Sequence, residues 1–118
     1  MLLGLRTSIH PVADLDAAKA WFTELLGSPP YFDEPFYVGY EVGGYELGLL
    51  PDADAADGVQ TYWGVEDADA AVERLLAGGA TLHTPVTEVG GGIRTALVLT
   101  PASTLLGVIE NPHFGLPA

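Results

Sequence analysis

The sequence predicts an α+β fold made of two successive modules, each a strand, a helix and three strands. Three observations carry this. Asp14-Leu15-Asp16-Ala17-Ala18 returns 53 residues later as Asp67-Ala68-Asp69-Ala70-Ala71. Each copy leads into apolar residues at helical spacing and then into alternating, strand-like segments. Phe36 to Leu50 reads as one hairpin closed on Gly43-Gly44, a pair able to reach the positive φ of a two-residue turn. Neither module alone buries a sheet face; together they put helices on one side and leave a concave sheet face on the other.

Taken in order, Leu5 to Val12 is a first strand, stopped where Pro11 intervenes. Asp14 is an N-cap, Leu15, Ala18, Trp21 or Phe22, and Leu25 recur at helical spacing, and Gly27 closes the helix. Pro29-Pro30 forces a turn before a short edge strand at Tyr31 to Asp33. The hairpin follows, and the polar loop from Pro51 to Gly58 separates module 1 (about 1–52) from module 2 (about 58–112) within one domain of 118 residues. Val59 to Val65 starts the second cycle. Asp67 caps a helix with the stripe Ala68, Val72, Leu75 and Leu76, ended by Gly78-Gly79. Thr81 to Val89 is a strand interrupted by Pro85, Gly90-Gly91-Gly92 turns the chain, and Ile93 to Leu99 and Leu105 to Glu110 are the last strands. The tail from His113 is expected to be loose or docked at an edge.

The hairpin turn sets a register in which Val42 faces Tyr45, Glu41 faces Glu46 and Gly39 faces Gly48. One face, with Phe36, Val38, Tyr40, Val42, Tyr45, Leu47 and Leu49, suits packing on helices. The other carries Tyr37, Gly39, Glu41, Glu46, Gly48 and Leu50. Opposed like charges cost on the order of 0.2–1 kcal/mol, so a ligand or solvent must relieve Glu41 and Glu46. By the same alternation Gln60, Tyr62 and Gly64 share one face, and Gly107 shares one with Leu105 and Ile109. With Gln60 and Gly107 facing inward, glycines 39, 48, 64 and 107 all open onto one surface, which favours a roomy cleft over tight packing positions.

Sixteen acidic residues against four basic ones give a net charge of −12. Such a field repels nucleic acid and favours cationic ligands or plain solubility. No cysteine is present, which excludes disulfides, zinc–thiolate sites and thiol nucleophiles. No apolar run approaches the ~20 residues of a membrane helix, and Met1-Leu2-Leu3 is too short for a signal peptide, so the expectation is a soluble, cytoplasmic protein without a membrane partner.

The order βαβββ-βαβββ, the opening Val12-Ala13-Asp14-Leu15 into Trp21-Phe22 and Leu25-Leu26-Gly27, the second opening Gly64-Val65-Glu66-Asp67 into Ala77-Gly78-Gly79-Ala80, and the ending Leu106-Gly107-Val108-Ile109-Glu110-Asn111-Pro112 resemble the vicinal oxygen chelate superfamily. That group contains glyoxalase I, bleomycin resistance proteins and extradiol dioxygenases. The resemblance implies cup-shaped half-barrel sheets with helices on the outer face, a homodimer, and a small-molecule site in the cup. It also implies where metal ligands would fall: Thr7 on the first strand, Glu46 on the fourth, Gln60 on the first strand of the second module, and Gly107 on the last. Only Glu46 keeps a strong ligand type, since a divalent ion needs several N or O donors. The expectation is therefore no cofactor, with a divalent metal as the alternative.

Three functions follow. The first is a metal-free binding protein of the bleomycin-resistance type, whose acidic cup holds a cationic or aromatic compound. Its site residues would be Thr7, Tyr37, Gly39, Glu41, Glu46, Gly48, Gln60, Tyr62, Arg94 and Gly107. The second is a glyoxalase-like lyase, isomerase or dioxygenase with Glu46 as general base or residual metal ligand. The third is a structural or regulatory module. Arg94 is a partner for Glu46, a holder of an anionic ligand, or a surface ion pair. Tyr37 and Tyr62 offer stacking faces, while Tyr31, Phe32 and Phe36 are assigned mainly to packing. His10 is placed under the first helix, and His83 and His113 at the surface.

Overall fold

A computed structural model describes residues Met1–Gly115. The fold is α+β, and the element order is βαβββ twice. The chain divides into two compact units, one of residues Thr7–Gln60 and one of Met1–Arg6 with Thr61–Gly115. The first strand, β1 (Gly4–Pro11), opens in the latter and continues in the former.

In the Thr7–Gln60 unit, α1 (Leu15–Leu26) packs on a sheet of order β2-β3-β4-β1, with β2 (Phe32–Glu34), β3 (Tyr37–Val42) and β4 (Tyr45–Leu50). The Asp14 carboxylate accepts from Ala17 N, and Gly27 ends the helix at φ 73°. Gly43 and Gly44 both take positive φ, 60° and 91°, and the hairpin register is the expected one, with Glu41 opposite Glu46 and Gly39 opposite Gly48. Strand β1 runs parallel to β4 and sets Thr7 beside Glu46. Val38, Tyr40 and Leu49 are buried under Val12, Leu15, Ala18, Phe22 and Leu26. Each such aliphatic side chain stabilises by about 1.5–3 kcal/mol. The buried Tyr40 hydroxyl bonds Thr23 and the Lys19 carbonyl. The apolar stripe of α1 is thus Leu15, Ala18, Phe22 and Leu26. Trp21 and Leu25 turn outward, each 61% exposed, because the helix presents Phe22 and Leu26 to the sheet one position further round.

In the other unit, α2 (Ala68–Ala77) packs on a sheet of order β5-β8-β7-β6, with β5 (Gln60–Gly64), β6 (Thr81–Gly90), β7 (Ile93–Leu99) and β8 (Leu105–Glu110). Ala68, Ala71 and Val72 bury against Val65, Ala96 and Val108, and Leu75 packs at their margin; Leu76 is exposed. Pro85 does not break β6. It lies on the edge strand, where shifts in register on either side absorb its missing N–H. Glu110 ties the layers together: its Oε1 accepts from Ala68 N at 2.9 Å, at the start of α2, and from Arg94 at 3.4 Å. Among the described residues no helix is long and apolar enough to cross a membrane.

Candidate ligand-binding site around Glu46

Glu46 lies half-buried on β4, on the sheet face opposite α1. Its carboxylate accepts three hydroxyls. Thr7 Oγ1 donates to Oε1 at 2.7 Å and Tyr37 OH donates to the same oxygen at 2.8 Å. Tyr31 OH donates to Oε2. The backbone dictates each approach. Parallel pairing of β1 with β4 makes Thr7 the lateral neighbour of Glu46. Tyr37 crosses Gly48, and Tyr31, anchored by its N–H to the Gly39 carbonyl at 3.0 Å, crosses Gly39.

Glycines 39 and 48 do leave space, but the chain's own rings take it. A Cβ on Gly48 would lie 2.7 Å from Tyr37 Cζ and collide with its hydroxyl. A Cβ on Gly39 would lie 2.9 Å from Glu46 Oε2 and 3.1 Å from Tyr31 Cε1. The other two glycines behave alike. Tyr62 covers Gly107, its Cδ1 2.5 Å from where a Cβ would stand, and Arg6 covers Gly64, with Nε at 2.6 Å. The open cleft expected over these glycines is corrected accordingly: flat side chains reach across from neighbouring strands and fill the volume that missing Cβ atoms release.

Burial, joined by the nearby Glu46 carboxylate and the bonds to it, raises both Tyr31 and Tyr37 well above the usual phenol range. Burial alone pushes Tyr62 up to about 12. These phenols stay protonated and keep donating. A carboxylate offers about four acceptor directions. Among the described residues three are filled, which leaves one on Oε2, next to the exposed ring of Tyr31. The arrangement can receive one hydrogen-bond donor and present an aromatic face.

The remaining expected site residues lie as follows. Glu41 is exposed and turns to its own hairpin, accepting from Gly44 N at 2.7 Å, which relieves its charge locally instead of adding it to Glu46. Gln60 is buried at the start of β5. Tyr62 is buried with its ring against Gly107, so it offers no open stacking face. Arg94 forms ion pairs within its own unit, with Asp69 of α2 at 2.6 Å and with Glu110 of β8 at 3.4 Å. His10 lies beside Phe22 of α1, with ring centroids 5.7 Å apart and planes tilted by 54°. His83 is exposed, and His113 Nε2 lies 2.8 Å from the Gly91 carbonyl. That contact docks the start of the tail at the β6–β7 turn; residues 116–118 lie outside the described residues.

Tyr31 is the site residue that the pattern of the sequence missed. Assigned to packing, it is instead the donor to Oε2. The available signal was Gly39 on the strand beside it, since a strand glycine is often crossed by an aromatic from the edge.

Comparison with known proteins places these elements. The sequence profile of the Glyoxalase/Bleomycin resistance protein/Dioxygenase superfamily matches residues 8–108. Among curated proteins, CFP32 of Mycobacterium tuberculosis and of Mycobacterium bovis, provisionally named a glyoxylase, is 30% identical over 117 residues. The match covers 86% of this chain, which spans only 44% of the length of those relatives. Among solved structures, a variant of Streptomyces coelicolor methylmalonyl-CoA epimerase in complex with 2-nitronate-propionyl-CoA superposes with a TM-score of 0.78 at 17% identity, covering 99% of this chain and 100% of that one. A superfamily member from Vibrio splendidus gives 0.66 at 19%, covering 91% and 99%. At such identities the structural likeness speaks for the fold, and the profile match speaks for descent. The chain belongs to the glyoxalase/bleomycin resistance protein/dioxygenase superfamily.

Proposed function

We propose that this protein binds a small molecule without a metal, in the manner of the bleomycin-resistance branch of its superfamily. The ligand is a flat or cationic compound with at least one hydrogen-bond donor. The observation that carries this is the Glu46 carboxylate, with one acceptor direction left beside the exposed ring of Tyr31. A cation or N–H donor completes the carboxylate, and stacking on the ring adds to it.

A resident divalent ion does not fit this set. Of the four positions where the superfamily's metal enzymes carry ligands, Thr7, Gln60 and Gly107 supply no imidazole or carboxylate, and Glu46 already accepts three hydroxyl protons. Among the described residues no three His, Cys, Asp or Glu side chains gather as a metal-holding group. No step is routed through a metal.

The test is a thermal-shift and calorimetric screen of cationic and aromatic compounds, with and without chelator. The expected result is a chelator-insensitive stabilisation that Glu46→Gln weakens at least tenfold. A ligand effect that requires a divalent ion, or no stabilisation by either compound class, would refute the proposal. A second function, proton abstraction by Glu46, is favoured by the glyoxylase name of the mycobacterial relatives. It predicts deuterium exchange from D2O at a carbon beside a carbonyl, lost in Glu46→Gln.

A further inference from the structure

The molecule holds a second polar feature that the Glu46 site does not use. Of its four cationic side chains, Lys19 pairs with Asp33, Arg94 pairs with Asp69 and Glu110, and Arg74 is exposed on α2. Arg6 is half-buried and has no carboxylate partner among the described residues, in a chain with sixteen acidic ones. Its only hydrogen bond among the described residues is a long one, from Nη1 to the Leu5 carbonyl at 3.3 Å. The guanidinium is nevertheless held in place. It lies against the β5 backbone at Gly64, where a Cβ would stand 2.6 Å from Nε and 2.7 Å from Cζ and Nη2. The Phe114 ring centroid is 3.7 Å from Cζ. Phe114 is itself positioned by its N–H to the Asn111 carbonyl at 3.3 Å and by the neighbouring His113 contact with Gly91.

A guanidinium carries five N–H donors in a planar fork that matches two oxygens of a carboxylate or phosphate. Packing on its face fixes the plane and, among the described residues, leaves every edge donor but the one on Nη1 unspent. The cost of ordering a long side chain is met before any ligand arrives. We propose that Arg6, set by Gly64 and Phe114, is an oxyanion-binding residue that takes the carboxylate or phosphate group of a small ligand through a bidentate contact. This assignment is independent of the Glu46 reading, and its residues all belong to the unit of Met1–Arg6 and Thr61–Gly115.

The experiment uses the whole chain and follows the Nε–H resonances of Arg6, Arg74 and Arg94, the three arginines. Inorganic phosphate and, separately, acetate are titrated at constant ionic strength. The expected result is a saturable shift confined to Arg6, with the two arms showing which oxyanion is preferred. Arg6→Lys, which keeps the charge and loses the fork, should weaken binding about tenfold, and Gly64→Ala, which displaces the guanidinium, by a similar factor. Phe114→Leu keeps an apolar contact, removes the ring, and provides a milder variant should Gly64→Ala not fold. An Arg6 signal that does not move, or three signals drifting together without saturation, overturns the assignment. In either case Arg6 only pins the C-terminal segment. Glu46→Gln should leave the Arg6 titration unchanged, so that failure of one site is distinguishable from failure of the other.

Discussion

Gly48→Ala should be among the most damaging small changes to the Glu46 site, although it adds only one methyl group. The new Cβ would lie 2.7 Å from Tyr37 Cζ and 2.9 Å from Cε1. Carbon atoms prefer about 3.5–4.0 Å, so the ring must move by about 1 Å. The Tyr37–Glu46 bond, now 2.8 Å, would then stretch beyond hydrogen-bond range. Overpacking costs about 1–3 kcal/mol and a lost bond to a charged acceptor about 1.5–3 kcal/mol. Relief of the glycine entropy penalty returns about 0.5–1 kcal/mol. The net is about 3 kcal/mol, which at a slope of about 1–3 kcal/mol per molar lowers the urea midpoint by about 1–3 M. The assay is urea unfolding of wild type, Gly48→Ala, Tyr37→Ala and the double variant. In the Tyr37→Ala background the methyl meets open space, and its cost should fall below about 1 kcal/mol. An equal cost in both backgrounds would show that Tyr37 does not occupy the volume over Gly48, and the account of the filled sheet face would fail with it.

The three raised phenols make the fold alkali-sensitive. A phenol held above its unfolded value of about 10 stabilises fully below that pH, and the contribution is lost as pH rises through the folded value. Absorbance at 295 nm should therefore show Tyr31, Tyr37 and Tyr62 ionising only at higher pH or with unfolding, and Tyr37→Phe should remove one late step. Glu110→Ala removes the acceptor for Ala68 N and should cost about 1 kcal/mol by chemical denaturation, as a lost helix cap does, with ligand binding at Glu46 unchanged. Gly107→Glu adds a carboxylate where the family resemblance implies a metal ligand, yet Tyr62 Cγ and Cδ1 stand 2.8 and 2.5 Å from where its Cβ would go. This variant should be destabilised and should take up no zinc or nickel by elemental analysis; stoichiometric uptake would contradict the proposed misfit.

Much of the fold was legible because its signals are local. The paired Asp caps, the glycine stops and the Gly43-Gly44 turn each act within a few residues, and they set the element order and the hairpin register. From that register alone came the division of β3 and β4 into a face under α1, with Val38, Tyr40 and Leu49, and a face carrying Glu46. The helical stripe was legible only to within one position. Trp21 and Phe22 both satisfy the spacing, and only packing against the sheet selected Phe22.

By itself, then, the sequence determined the two βαβββ modules, the side of the sheet on which Glu46 lies, and the lack of imidazole and carboxylate at Thr7, Gln60 and Gly107. Tertiary structure decided what surrounds that carboxylate. Tyr31 meets Glu46 from 15 residues away and Thr7 from 39, and each arrives through strand pairing that no local pattern encodes. It also decided the meaning of the four glycines. Alternation places a glycine on a face, but the length and tilt of the side chains on the next strand determine whether its vacancy is open to a ligand. Here Tyr31, Tyr37, Tyr62 and Arg6 are long and flat enough to cross it, so the space went to the chain's own rings and guanidinium.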